Sequence, residues 1–265
     1  MSAGGSGEAA GGMSHNTIIG LGLLGALIGI YAAHFLGSYA SFLGGIGAIA
    51  SILWGAESVR RVSSYGLGTG VPSIGMIALG MGVVAATFGL AVGGVAGPVI
   101  AVIFAALIGL LVGLLANTVL KMGIPIMVQS MAEISIAGTL TIIGLSVAMV
   151  GSFTFADVLT GVIATGYIAV IFIAGGLAIL HPFNGNLGPD EKQDRTLTTA
   201  VEKGAITMII AGIVAAVNAG ASGALTIIIG VAIWYIAFSR FYKLVKRDSF
   251  SVVGTGLLPN EEELA

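Results

Sequence analysis

The chain contains no cysteine and little charge. Without cysteine there is no disulfide framework, thiolate nucleophile, iron–sulfur cluster, c-type haem attachment or cysteine-based zinc site. Lipid anchoring through a thioether or thioester is excluded with them. Charged residues make up 8% of the sequence, against about 25% in a soluble domain, so there is too little polar surface to cover a water-facing globule. The net charge of −2 provides no basic face, so no nucleic-acid partner is expected. Prolines number six against 43 glycines, and the glycines fall inside apolar runs without a Gly-X-Y period, which excludes collagen. No stretch resembles a phosphate-binding Walker loop or a Ser/His/Asp set, and no polar interval is long enough for a catalytic domain.

What is present is hydrophobicity: 57% of the 265 residues are apolar, with a mean hydropathy of +1.07. These values define an integral membrane protein whose immediate surroundings are the lipid bilayer. Crossing the hydrocarbon core takes about 20 apolar residues per helix. Uncharged stretches between Glu8 and Glu57 and between Arg61 and Lys121 each leave room for two crossings. The sequence predicts helices at 17–36, 40–57, 74–94, 98–120, 132–150 and 157–180, one starting near Leu197, and one at 224–242. Gly37–Tyr39, Gly93–Pro98 and Gly151–Ala156 supply turns, and Pro98 suits the first turn of a helix, where no N–H is needed. Glu202 and Lys203 are expected to snorkel from the first turns of the seventh span.

The expected fold is thus all-α, a polytopic transmembrane bundle of about eight spans, seven being the alternative. Eight spans place all ten basic residues on one side, and seven would divide them. Both termini are then cytoplasmic and the chain is a multi-pass protein of the cell membrane. Residues 1–16 are expected to be a disordered small-residue head before an uncleaved first span, 17–246 the helical domain, and 247–265 an acidic cytoplasmic tail. The helical domain reads as two four-helix halves, 17–120 and 132–242, each a tight hairpin, a charged loop and a second hairpin. In hydropathy these are parallel repeats; an accident of hairpins gives the same pattern.

Gly20-Leu-Gly-Leu-Leu-Gly25 matches a dinucleotide fingerprint but lies in an apolar span without the required strand. The pairs Gly25/Gly29, Gly89/Gly93, Gly93/Gly97 and Gly109/Gly113 read instead as close-packing helix faces, within the chain or against sister subunits. Intramembrane acids are the better functional pointers. Glu133 opens the fifth helix after a polar stretch containing Gly123, Pro125 and Gln129. It reads either as a sodium ligand together with Gln129 or Ser130, or as a helix N-terminal charge favoured by the macrodipole. Asp157, the one acid on the outer side, carries the same two readings. His34 and His181 lie at opposite ends of their spans, which argues against haem. No catalytic or cofactor-binding residues are identified.

The head MSAGGSGEAAGG, the glycine-rich spans, the missing cysteine and the loop HPFNGNLGPDEKQDRTL together resemble the C subunit of the methanogen tetrahydromethanopterin S-methyltransferase. The resemblance covers the whole chain and carries no short catalytic motif. It implies a non-catalytic membrane subunit of a methyltransferase that drives sodium outward. A corrinoid is expected on a partner subunit and none on this chain. Sister membrane subunits are the expected partners. A sodium ion is the small ligand to consider, with Glu133, Gln129 and Asp157 as candidates for its route on this chain, while the scarcity of midplane acids points to a main sodium site on a sister subunit as the alternative. The alternatives are an independent secondary transporter or channel subunit, and a structural membrane scaffold.

Overall fold

The computed structural model describes residues 12–65, 70–186 and 192–251. They are helical throughout, with short connections and no strand among the described residues. The long helices are α1 (His15–Leu36), α2 (Phe42–Ser63), α3 (Gly70–Gly93), α4 (Gly97–Thr118), α5 (Met127–Val150), α7 (Tyr167–Asn186), α8 (Gln193–Ala219) and α9 (Ala221–Ser251), with the short α6 (Phe155–Val158) before α7.

Local chemistry sets the helix ends. The Ser14 hydroxyl accepts from the Thr17 N–H at 3.2 Å and caps α1. Pro98 stands in the first turn of α4, as its missing N–H allows. Gly151 ends α5 in the left-handed region at φ 73°, which costs glycine little. Six stretches are long and apolar enough to cross a membrane. One of them, Gly75–Thr118, is 44 residues long and doubles back. The Phe88 and Phe104 rings lie 4.3 Å apart, so α3 and α4 are antiparallel and this stretch is a hairpin. The bent α6–α7 pair adds a seventh candidate span, roughly in line with the expected bundle of seven or eight, and the hairpin counted as two passes gives the eighth.

The sixth span departs from expectation. The sequence predicts one helix over 157–180, but α6 runs into a π-helical turn at Leu159–Ile163, and this segment stands at 88° to α7. The backbone breaks at Gly166, φ 80°, and the crossing begins only at Tyr167. Thr160, Thr165 and Asp157 make the lateral segment polar, so it lies across the bundle's end rather than through it. Other helices exceed their expected bounds: α2 continues to Ser63, α5 begins five residues before 132, and α8 begins at Gln193. Of the distinctive loop after His181, residues 182–186 continue α7 through Pro182, and α8 begins at Gln193. Of the expected tail, 247–251 belong to α9. Residues 1–11 of the expected head, the acidic Glu261–Glu263 and residues 187–191 lie outside the described residues.

α5 is the axis of the bundle and packs against every other long helix, including all four of the first expected half. Its neighbours come close because glycine removes side chains at the crossings. A Cβ on Gly109 or Gly113 of α4 would reach 2.5 Å from the Cα of Ala132 or Val128. A Cβ on Gly144 would reach 2.7 Å from the Gly44 carbonyl on α2. Buried hydroxyls along α5 are satisfied mainly by carbonyls one turn back, as for Thr141 to Ala137 and Ser146 to Ile142, both 2.8 Å. Ser51 of α2 meets Thr141 across the interface at 2.9 Å.

Candidate carboxylate sites at the basic end

The antiparallel pairings bring the ends of α2, α4 and α9 and the starts of α1, α5 and α8 to one end of the bundle. Every described Lys and Arg lies at or near it. Glu133 sits in the second turn of α5, 6% exposed. Starting α5 at Met127 rather than 132 moves this residue off the helix mouth and into the bundle. Three donors converge on its carboxylate. The His15 Nε2 lies 3.0 Å from Oε1, the Gln129 amide donates to Oε1 at 2.8 Å, and the Ser58 hydroxyl donates to Oε2 at 2.5 Å. The arrangement joins the start of α1 and the last turns of α2 to α5. Gln129 is brought to Glu133, as the four-residue spacing allows. Ser130 is buried beside them in sequence, but its Oγ makes no hydrogen bond and does not join the cluster.

Asp157 lies at the opposite end, in the lateral segment. Thr154 caps that segment: its hydroxyl accepts from the Asp157 N–H at 3.3 Å and donates to Oδ2 at 2.6 Å. The Thr154 hydroxyl, helped by that of Ser152, holds the Asp157 carboxyl below its ordinary value. The structure therefore separates the three sequence-predicted site residues into a pair at one end and a single acid at the other.

Two further carboxylates escaped the sequence reading. Glu57, expected as the end of a span, is 1% exposed inside α2. Arg60 grips it with two hydrogen bonds of 2.7 Å, and Gln193 adds a third from α8 at 3.1 Å. The same Gln193 amide reaches the Met13 carbonyl at 3.1 Å, so Glu57 and Glu133 both help fasten the start of α1. The Glu57/Arg60 spacing of three was the available signal. Glu202 does not snorkel. It lies nine residues inside α8, 5% exposed, and takes a 3.0 Å contact from Lys203. Among the described residues no three His, Asp or Glu converge as a metal site.

These features define a polytopic helical membrane protein whose polar groups are held inside a glycine-packed bundle, with its basic residues gathered at one end. The family model for tetrahydromethanopterin S-methyltransferase, C subunit, matches residues 1–262. The chain is 62% identical to the protein of that name from Methanosarcina barkeri, over all of both chains. It is 43% identical to the Methanothermobacter marburgensis protein and 40% identical to that of Methanocaldococcus jannaschii, in each case over 99% of this chain and all of the relative. The chain belongs to the family of tetrahydromethanopterin S-methyltransferase C subunits.

Proposed function

We propose that this chain is a non-catalytic, integral membrane subunit of the complex that transfers a methyl group from methyl-tetrahydromethanopterin to coenzyme M, and that it contributes to the sodium-translocating part of that complex. One observation carries the reading: the described chain is a membrane bundle with no folded domain beside it, while carboxylates and hydroxyls are retained in its interior. Burying such groups in a membrane is costly, and they mark ion routes more often than chance placement would. With no folded domain beside the described bundle, the reading assigns the methyl donor and a corrinoid to partner chains. The basic end is cytoplasmic, in accord with the positive-inside rule. In this reading Glu133 and Gln129 stand near the cytoplasmic entrance of the route and Asp157 near its exit.

The test is made on the assembled complex in sealed vesicles. A tag on this chain should co-purify a corrinoid-carrying subunit and methyl-transfer activity coupled to sodium movement. A chain that purifies alone and moves solute unaided would favour the independent transporter. Glu133→Gln in the intact complex should raise the sodium concentration needed for half-maximal methyl transfer. An unchanged sodium titration would leave Glu133 as a helix clamp only.

A further inference from the structure

At the end opposite the basic residues, a cleft of about 390 Å³ opens between the α1–α2 turn, the end of α5, the lateral segment and the start of α9. Five of its lining residues are hydroxyl-bearing: Ser38, Ser41, Thr160, Thr165 and Ser222. Ser41 is 2% exposed, and its Oγ has no hydrogen-bond partner within the chain. A buried polar atom without a partner costs free energy and requires an explanation.

The donor set determines what the cleft can take. Thr160 Oγ1 spends its proton on the Ala156 carbonyl at 2.9 Å, and Thr165 Oγ1 spends its own on the carbonyls of Gly161 and Val162, each at 3.1 Å. Both threonines therefore present lone pairs outward. No Lys or Arg lines the cleft, and those of the described chain lie at or near the other end, so an anion has no counter-charge here. Asp157 stands one helical turn from Thr160 and supplies a negative charge near the rim. The helix ends meeting at the cleft alternate in sense: α5 and α8 finish there while α2 and α9 begin. Their dipoles offset, which leaves hydroxyl oxygens and Asp157 to decide. The lining holds no carboxylate, histidine or cysteine, which disfavours divalent and softer metals. Neutral oxygen ligands suit a hard monovalent cation that keeps part of its water.

We propose that this hydroxyl-lined cleft binds a partly hydrated sodium ion, with the Ser41 hydroxyl as an inner oxygen ligand and Thr160 and Thr165 at the rim. The proposal deepens the sodium-transport reading by assigning its outer-face site. It can be tested on the full-length chain alone, so its failure is distinct from failure of that reading, which is judged on the complex.

The full-length chain in detergent is titrated with sodium chloride at constant ionic strength, choline chloride making up the balance. Sodium should raise the unfolding temperature and broaden the sodium NMR resonance saturably. Ser41→Val should abolish both effects, while Ser41→Thr, which keeps a hydroxyl, should retain them. Thr160→Val keeps the side-chain shape at a more exposed position and should weaken the apparent affinity several-fold even if Ser41→Val does not fold. Equal responses to choline and sodium, or sodium responses unchanged in both valine variants, would overturn the proposal.

Discussion

The buried ion pair of Glu57 and Arg60 shows why a membrane bundle tolerates a carboxylate. Glu57 is 1% exposed and its oxygens take two bonds from Arg60 and one from Gln193. Removing one partner of a buried pair strands the other charge, at a cost of about 3–5 kcal/mol. Arg60→Met should accordingly lower the unfolding temperature sharply, and adding Glu57→Gln should restore much of the loss. No recovery in the double variant would mean that Arg60 acts through other contacts. Asp157 is a milder case. Its carboxyl is held low by Thr154, so its folded form stabilises the chain above the ordinary pKa of 3.8, and that contribution fades as pH falls through the lower folded value. Thr154→Val should move the Asp157 titration upward toward 3.8, as followed by carboxyl NMR. An unmoved titration would assign the shift to Ser152.

At the scale of helices, glycine position matters more than glycine number. The Gly89/Gly93/Gly97 face packs inside the α3–α4 hairpin. A Cβ on Gly89 would lie 2.5 Å from the Ala101 backbone, whereas one on Gly93 would meet the flexible tip of Ile100 at 3.0 Å. Backbone cannot yield as a side chain can. Gly89→Leu should therefore cost about 3 kcal/mol or more, the upper range of overpacking, and Gly93→Leu distinctly less. Thermal unfolding of the two variants compares them directly; equal losses would show that the hairpin opens at both crossings alike. The lateral segment before α7 has its own cause. Its hydroxyls and Asp157 favour water over lipid, and Gly166 allows the sharp turn that α7 needs.

For the whole molecule, the pairing of helices places α1's start and α9's end on one side and the 94–96 and 220 turns on the other. Native absence of cysteine makes this testable without a background. Ser64→Cys at the basic end and Val95→Cys at the opposite end should react with an impermeant thiol reagent from opposite faces of oriented vesicles. Labelling of both from the same face would reject the eight-crossing arrangement. The contact of Arg247 with Asp194, 3.6 Å, ties the far end of α9 back to α8, so α9 remains with the bundle beyond its apolar portion.

The residues alone determined the membrane class, the all-helical bundle and most turns, because apolar length, charge position and Gly/Pro chemistry act locally along the chain. Gly37, Pro98 and Gly151 mark their boundaries whatever packs around them. The Gly109/Gly113 spacing announced a tight face, but only the fold showed that α5 fills it rather than another chain. Glu57, Glu133 and Glu202 look like span-end charges in sequence, since hydropathy counts a carboxylate as a penalty wherever it falls. Their burial depends on donors far away in sequence: His15 and Ser58 for Glu133, and Gln193 for Glu57. The break between α6 and α7 was less legible, because 157–180 is apolar enough for one helix; Gly166 permits the bend, and packing across the end of α5 seats the segment with Asp157 and its hydroxyls there. Local chemistry thus set where the helices are, and long-range hydrogen bonding and packing decided which of their polar groups lie inside.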